Sequence, residues 1–207
     1  MADLPKGRAP RRSVALTRRL LIVGAGGHGR SVAEAALESG AYEVVGFLDD
    51  AFPGLGSVWE IPVLGKVADY SAFRLDVDCC LVAIGNNVVR EKTGTLLKAG
   101  GFELASVIHP RALVSPRAVI GAGSAVMMGA VVGTEARLSE GAIVNCGAVV
   151  DHHCVVEDYG HLGVGAVMAG GSVLGRGAWM QANAALGYGM KIEAGRVLAP
   201  GEALGGC

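Results

Sequence analysis

From Val114 to Leu204 an aliphatic residue or Met occupies every sixth position of the chain. The series runs Val114, Ile120, Val126, Val132, Leu138, Val144 and onward through Met168, Met180 and Ile192, and Ile108 extends it backwards. Four residues after each, from Ala118 to Ala184, the site is small: Ser124, Ala130, Ala136, Cys154, Gly160 and Ser172 are examples. Such a period fits neither the 3.6-residue repeat of a helix nor the two-residue alternation of a simple strand. It is the signature of a β-helix, a solenoid of short parallel strands. Each hexad forms one flat side of a triangular coil, so about 18 residues make one turn. The aliphatic residue fills the core, and the small one fits where the corner is tight.

The bulk composition suits narrow coils. Hydrophobic residues make up 51% of the 207 and aromatics only 5%, so the core is built from Val, Ala, Leu and Ile. Most of the 33 glycines lie in the hexad region. A net charge of -1 gives no electrostatic case for binding nucleic acid. The basic start, with Lys6, Arg8, Arg11, Arg12 and Arg18, reads as a disordered leader over residues 1–18. Its apolar residues are too scattered for a signal peptide, and no apolar run reaches membrane-spanning length. The five cysteines form no C-x-x-C pair and are odd in number, which points to a reducing cytoplasm. Cys154 falls on a small-residue site and reads as core.

Residues 19–105 follow another rule. Arg19–Val23 is a buried strand that runs into Gly24-Ala-Gly-Gly-His-Gly29, and Ser31–Ser39 reads as a helix with Ala33, Ala36 and Leu37 on one face. Tyr42–Leu48 is a second strand, ending at Asp49-Asp50. Cys79–Ile84 is another, ending at Gly85-Asn86-Asn87, and Val88–Ala99 is helical. This alternation predicts a small parallel α/β, Rossmann-like domain before the β-helix of 106–207. Ligands of open parallel sheets bind at the carboxyl ends of strands, so the three loops should converge on one crevice.

Gly24, Gly26 and Gly29 satisfy G-x-G-x-x-G between a strand and a helix. The domain is about half a full dinucleotide fold, so one nucleotide fits it better than two. Backbone N–H groups at a helix N-terminus favour a phosphate. A nucleotide or nucleotide-sugar phosphate, a dinucleotide, and a purely structural turn all remain open on this motif alone. Asp49 and Asp50 also read as a solvated strand end, and Asn86 and Asn87 as turn formers.

Three of the five histidines, His152, His153 and His161, lie close together. His152 and His153 are off the aliphatic site, so they face outward or sit at a corner. One coil along from them stand Gly170 and Gly171, and one coil beyond His161 stands Trp179, which could pack against it. A general base needs an imidazole that is neutral near operating pH. A metal site needs converging ligands, and the spacing here does not match that of the zinc β-helix hydratases.

The ordered set Ile22-Val-Gly-Ala-Gly-Gly-His-Gly29, Phe47-Leu-Asp-Asp50, Ala83-Ile-Gly-Asn-Asn87, Val107-Ile-His-Pro110, Asn145 and Asp151-His-His-Cys-Val155, followed by unbroken hexads, resembles the bacterial NeuD/PglD-type sugar acyltransferases. The likeness spans about residues 19–205. It implies a left-handed β-helix, a homotrimer with its site between neighbouring subunits, acetyl-CoA as co-substrate, no metal, and a nucleotide-sugar in the α/β crevice. It implies that Gly26, Gly27, His28, Asp49, Asp50, Asn86 and Asn145 bind the nucleotide-sugar. His161, Gly170 and Ala182 would touch acetyl-CoA, and His152 with His153 would carry the chemistry.

The family often has an acidic residue after the catalytic histidine, and here that position is His153. Asp158, Glu157 or a carboxylate of a neighbouring subunit is expected to orient His152 instead, since Asp151 as a strand neighbour should point away. The resemblance implies acetyl transfer to the amine of a nucleotide-linked amino sugar, in bacterial surface glycan synthesis. O-acetylation of a sialic-acid-type hydroxyl is the rival reaction, and a non-catalytic nucleotide-sugar scaffold the rival class.

Overall fold

The computed structural model of the chain describes residues 17–205. Most of the basic leader, and Cys207, lie outside that range. Arg18 belongs to the first strand rather than to the leader.

The N-terminal unit is a twisted sheet flanked by helices. Its strands are β1 (Arg18–Val23), β2 (Tyr42–Leu48), β3 (Ser57–Val58), β4 (Ile61–Gly65) and β5 (Cys79–Val82), in the order β3-β4-β2-β1-β5. All neighbours are parallel except the β3–β4 hairpin. Four consecutive residues of β1, Leu20–Val23, are fully buried, because helices cover both faces of a parallel sheet. The β3–β4 hairpin and a 3-10 helix at Val67–Phe73 were not expected from the sequence. The helix α1 spans Gly27–Ser39, so it begins inside the glycine loop, four residues earlier than expected. It buries Val32, Ala33, Ala35 and Ala36, whereas Leu37, expected on that face, is 47% exposed. The helix α2 spans Asn87–Ala99.

From Val107 the chain winds as a left-handed parallel β-helix of two-residue strands. Three faces recur. The first holds Ala125–Val126, Ile143–Val144, His161–Leu162 and Trp179–Met180. The second holds Val131–Val132, Val149–Val150 and Val167–Met168, and the third Arg137–Leu138, Val155–Val156 and Val173–Leu174. Each strand pairs in register with the one 18 positions on. The hexad residues from Val126 to Leu198 and the small residues from Ala130 to Ala184 form one continuous buried core. Cys154 is wholly buried among them, as a core residue. Towards the end the small site is taken by Arg196 and Glu202, which pair with each other at 3.6 Å.

A buried arginine bridges the two units, alongside the Lys98–Glu140 and Glu91–Arg176 pairs nearer the surface. Arg90 of α2 is 1% exposed. It donates to the carbonyls of Ile84 and Gly85 in its own domain, and to those of Gly141 and Tyr159 in the β-helix, at 2.8–3.2 Å. Burial lowers its pKa to about 10, which leaves it charged at neutral pH.

Candidate active site

The glycine loop and the end of β5 meet closely. Gly24 has φ 105, and a Cβ there would lie 2.9 Å from the Ala83 carbonyl oxygen, so only glycine fits. Gly26 and Gly27 are exposed, with open space around them. The first N–H groups of α1 have no partner within the helix, an arrangement that suits an anion.

The acidic pair sits beside this loop but is engaged by the fold. Asp49 accepts from Ala25 N–H (2.7 Å) and Ala51 N–H (2.9 Å), so it braces the glycine loop. Asp50 accepts from Val67 N–H, and Asn86 caps α2 through Val89 N–H. Asn145 is half-buried and accepts from the next backbone N–H.

The crevice meets the first face of the β-helix at His161. The ring of His161 approaches the Gly85 carbonyl through Nδ1 at 3.3 Å and stacks on Trp179, with centroids 5.2 Å apart and planes 14° from parallel. The one-coil spacing had anticipated that stack. Burial, and then the nearby Arg90 charge, lower the pKa of His161 to about 3 and that of His28 to about 4. Both rings are therefore neutral. His28 Nε2, His161 Nε2, Trp179 Nε1 and Asn87 Oδ1 are buried with no hydrogen-bond partner among the described residues. Buried polar atoms are rarely left so, and polar atoms left over beside an open cleft are what a bound ligand completes. Asn87, Arg90 and Trp179 were not singled out as site residues from the sequence. A lone arginine on a helix reads as solvated, and only the structure shows that it is buried.

His152 and His153 lie elsewhere, on the turn between the second and third faces. Their Nδ1 atoms are 2.9 Å apart, with ring planes at 86°. His153 Nε2 meets Glu135 at 2.9 Å, and His152 Nε2 lies 3.7 Å from Asp151. The expected carboxylates Glu157 and Asp158 are occupied elsewhere: both bind Arg176. Asp151 does not point away as expected, because the pair sits on a turn rather than a strand. Gly170 does not leave a void, as the sequence suggested. A Cβ there would stand 2.6 Å from His152 Nε2, so the glycine is what makes room for the ring.

The expected site residues thus occupy three stations around the prism. Gly26, Gly27, His28, Asn86 and His161 converge at the crevice and first face. Asn145 and the exposed Ala182 lie at the corner between first and second faces. His152, His153 and Gly170 lie at the corner between second and third. That last corner is the edge of the prism opposite the first face. Among the described residues, no side-chain hydrogen bond or ion pair joins His152 or His153 to the α/β unit. No group of three or more His, Cys, Asp or Glu suited to a metal ion occurs among the described residues, and none of their helices is long and apolar enough to cross a membrane.

Residues 19–95 match the model of the PglD N-terminal domain family. The chain is 34% identical over 112 residues to a UDP-N-acetylbacillosamine N-acetyltransferase of Bacillus subtilis (strain 168), a match that covers 53% of this chain and about half (51%) of that curated relative. Among solved structures, it is similar to the acetyltransferase domain of PglB from Neisseria gonorrhoeae FA1090, at 37% identity and TM-score 0.74 over 92% of this chain and 97% of that one. That domain has also been solved in complex with acetyl coenzyme A. PerB from Caulobacter crescentus, solved in complex with CoA and GDP-perosamine, is 33% identical with TM-score 0.79, over 89% of this chain and 90% of that one.

Proposed function

The chain belongs to the PglD-type sugar acyltransferases, and we propose that it moves an acetyl group from acetyl-CoA to the amine of a nucleotide-linked amino sugar. The observation that carries the reading is His152, an exposed imidazole whose Nδ1 is capped by His153 and whose Nε2 edge packs where Gly170 lacks a side chain. This stands in a chain whose relatives are named as N-acetyltransferases and hold acetyl-CoA, CoA or GDP-perosamine.

In the proposed step the amine nitrogen attacks the thioester carbonyl, and His152 Nε2 takes the proton it sheds. The C–S bond breaks as the tetrahedral intermediate collapses, and the imidazolium returns its proton to the departing thiolate. General-base help is worth roughly 10²–10⁴-fold. Holding both substrates in one cleft supplies much of the rest. The nucleotide-sugar occupies the crevice, with phosphate on the N–H groups of Gly26–His28, and its presence completes the unpartnered nitrogens of His28 and His161.

The placement of these groups supports a homotrimer. In one chain the crevice and His152 face opposite sides of the prism, so a substrate held in the crevice reaches His152 only from a neighbouring copy. Closed three-fold symmetry brings such surfaces together. The enzyme so assembled acts in the cytoplasm, where acetyl-CoA and activated sugars are found.

The test is CoA release from acetyl-CoA with a UDP-4-amino sugar, a GDP-4-amino sugar and free sialic acid as acceptors. Turnover on an amino-sugar nucleotide is expected. Turnover on sialic acid alone moves the reaction to O-acetylation, and failure to bind acetyl-CoA leaves a scaffold.

A further inference from the structure

We propose that Glu135 is a positioning residue that acts through His153 to set the tautomer of His152, so that the lone pair lies on Nε2. This rests on His152 being the base of the acetyl transfer.

The reasoning is a chain of donors and acceptors. Ionised Glu135 can only accept, so His153 Nε2, at 2.9 Å, must carry its proton. A neutral imidazole has one N–H, so His153 Nδ1 is then an acceptor. Its partner among the described residues is His152 Nδ1, also at 2.9 Å, which must therefore donate. The lone pair of His152 then lies on Nε2, at the ring edge for which Gly170 makes room and beyond hydrogen-bond reach of Asp151 at 3.7 Å. Without Glu135 the two Nδ1 atoms can pair either way, and one of the two arrangements puts the proton on Nε2, where it blocks the base. A carboxylate does the same for a catalytic imidazole in hydrolytic triads, but directly. Here a second imidazole intervenes.

The backbone supports a selected arrangement. Glu135 and His153 stand at the same corner of successive coils, and both have φ 58. The next two coils put Gly171 and Gly189 there, with φ 70 and 65. Left-handed backbone is ordinarily left to glycine. Two larger side chains hold it on consecutive coils, where they hydrogen-bond each other. The other charged groups facing the pair are Arg117 and Arg137, which line the same cleft of about 230 Å³, and Asp151 beside His152.

The test is nitrogen-15 NMR of the full-length protein labelled at histidine, with rings assigned through His152→Asn and His153→Asn. In the wild type, His152 should carry its proton on Nδ1 and His153 on Nε2. In Glu135→Leu, whose altered side chain is 56% exposed, the Nε2–H form of His152 should appear. With an acceptor that turns over, kcat should fall about 10- to 100-fold, as loss of an orienting partner does, with KM for both substrates unchanged. A wild-type His152 protonated on Nε2 overturns the proposal. So does a Glu135→Leu variant that keeps the wild-type tautomers, or one that changes them at full kcat. If no acceptor turns over, the acetyl-transfer reading falls, and the tautomers alone decide the role of Glu135.

Discussion

His152 and His161 stand nine residues apart, half a coil, and the fold gives them opposite settings. His161 is buried against Trp179 and Arg90, which holds it neutral with one nitrogen unpartnered. His152 is exposed, its Nδ1 engaged by a second imidazole and its Nε2 without a hydrogen-bond partner among the described residues. The same side chain is thus a fixed, uncharged contact in one place and, in the proposed step, the proton carrier in the other. The difference comes from the neighbours that each face supplies. The first face lies under the α/β unit, and the far corner is covered by neither unit of the same chain.

The sharpest break of that contrast is His152→Ala. Turnover should fall about 10²–10⁴-fold with circular dichroism and assembly unchanged, and retained activity would remove His152 from the chemistry. Next in size is Arg90→Leu, which strips the donor from four carbonyls around the buried histidines. Each buried carbonyl left unpaired costs about 1–3 kcal/mol, so the urea unfolding free energy should drop by at least about 3 kcal/mol. A drop below about 1 kcal/mol would mean that the two units are held by other contacts.

The third test separates the two settings by pH, with an effect per ring below that of Arg90→Leu. Unfolded imidazoles protonate near about 6.5, whereas folded His28 and His161 resist until about 4 and 3. Between those values the unfolded chain binds more protons. Stability fully present above about pH 6.5 is therefore lost as pH falls, by up to about 1.4 kcal/mol per unit for each ring. Urea midpoints from pH 7 to pH 5 should show this slope, and His161→Asn should flatten it by about half. An equal slope in that variant would contradict burial of a neutral ring.

The β-helix was legible because its geometry repeats. Every hexad meets the same core, so one residue type recurs at one phase, and the strands end on the expected positions. The α/β unit repeats nothing. Ser57–Gly65 sits among glycines and prolines, and its strands are too short to show alternation. Leu37 was placed by helical spacing, but the side of a helix that meets a sheet depends on the docking angle. At the site, His152 and Gly170 could be paired from the period, and Trp179 with His161 likewise. Glu135 was missed although the same arithmetic finds it, one coil back from His153. Arg90 carried no signal, since its partners are backbone carbonyls, which have no sequence of their own.

The 18-residue coil also governs which changes of length the molecule tolerates. Insertion of a whole coil beyond Gly189 would lengthen the prism and leave every corner in place. Six residues inserted between Ile108 and Glu135 would turn the whole histidine corner by a third of a revolution against the α/β unit, with every core position still filled. The coil would keep its core, but Arg90 would no longer meet the carbonyls of Gly141 and Tyr159, and the histidine corner would face another side of the prism. Selection on such a chain reads its length modulo 18 as strictly as it reads the identity of any residue.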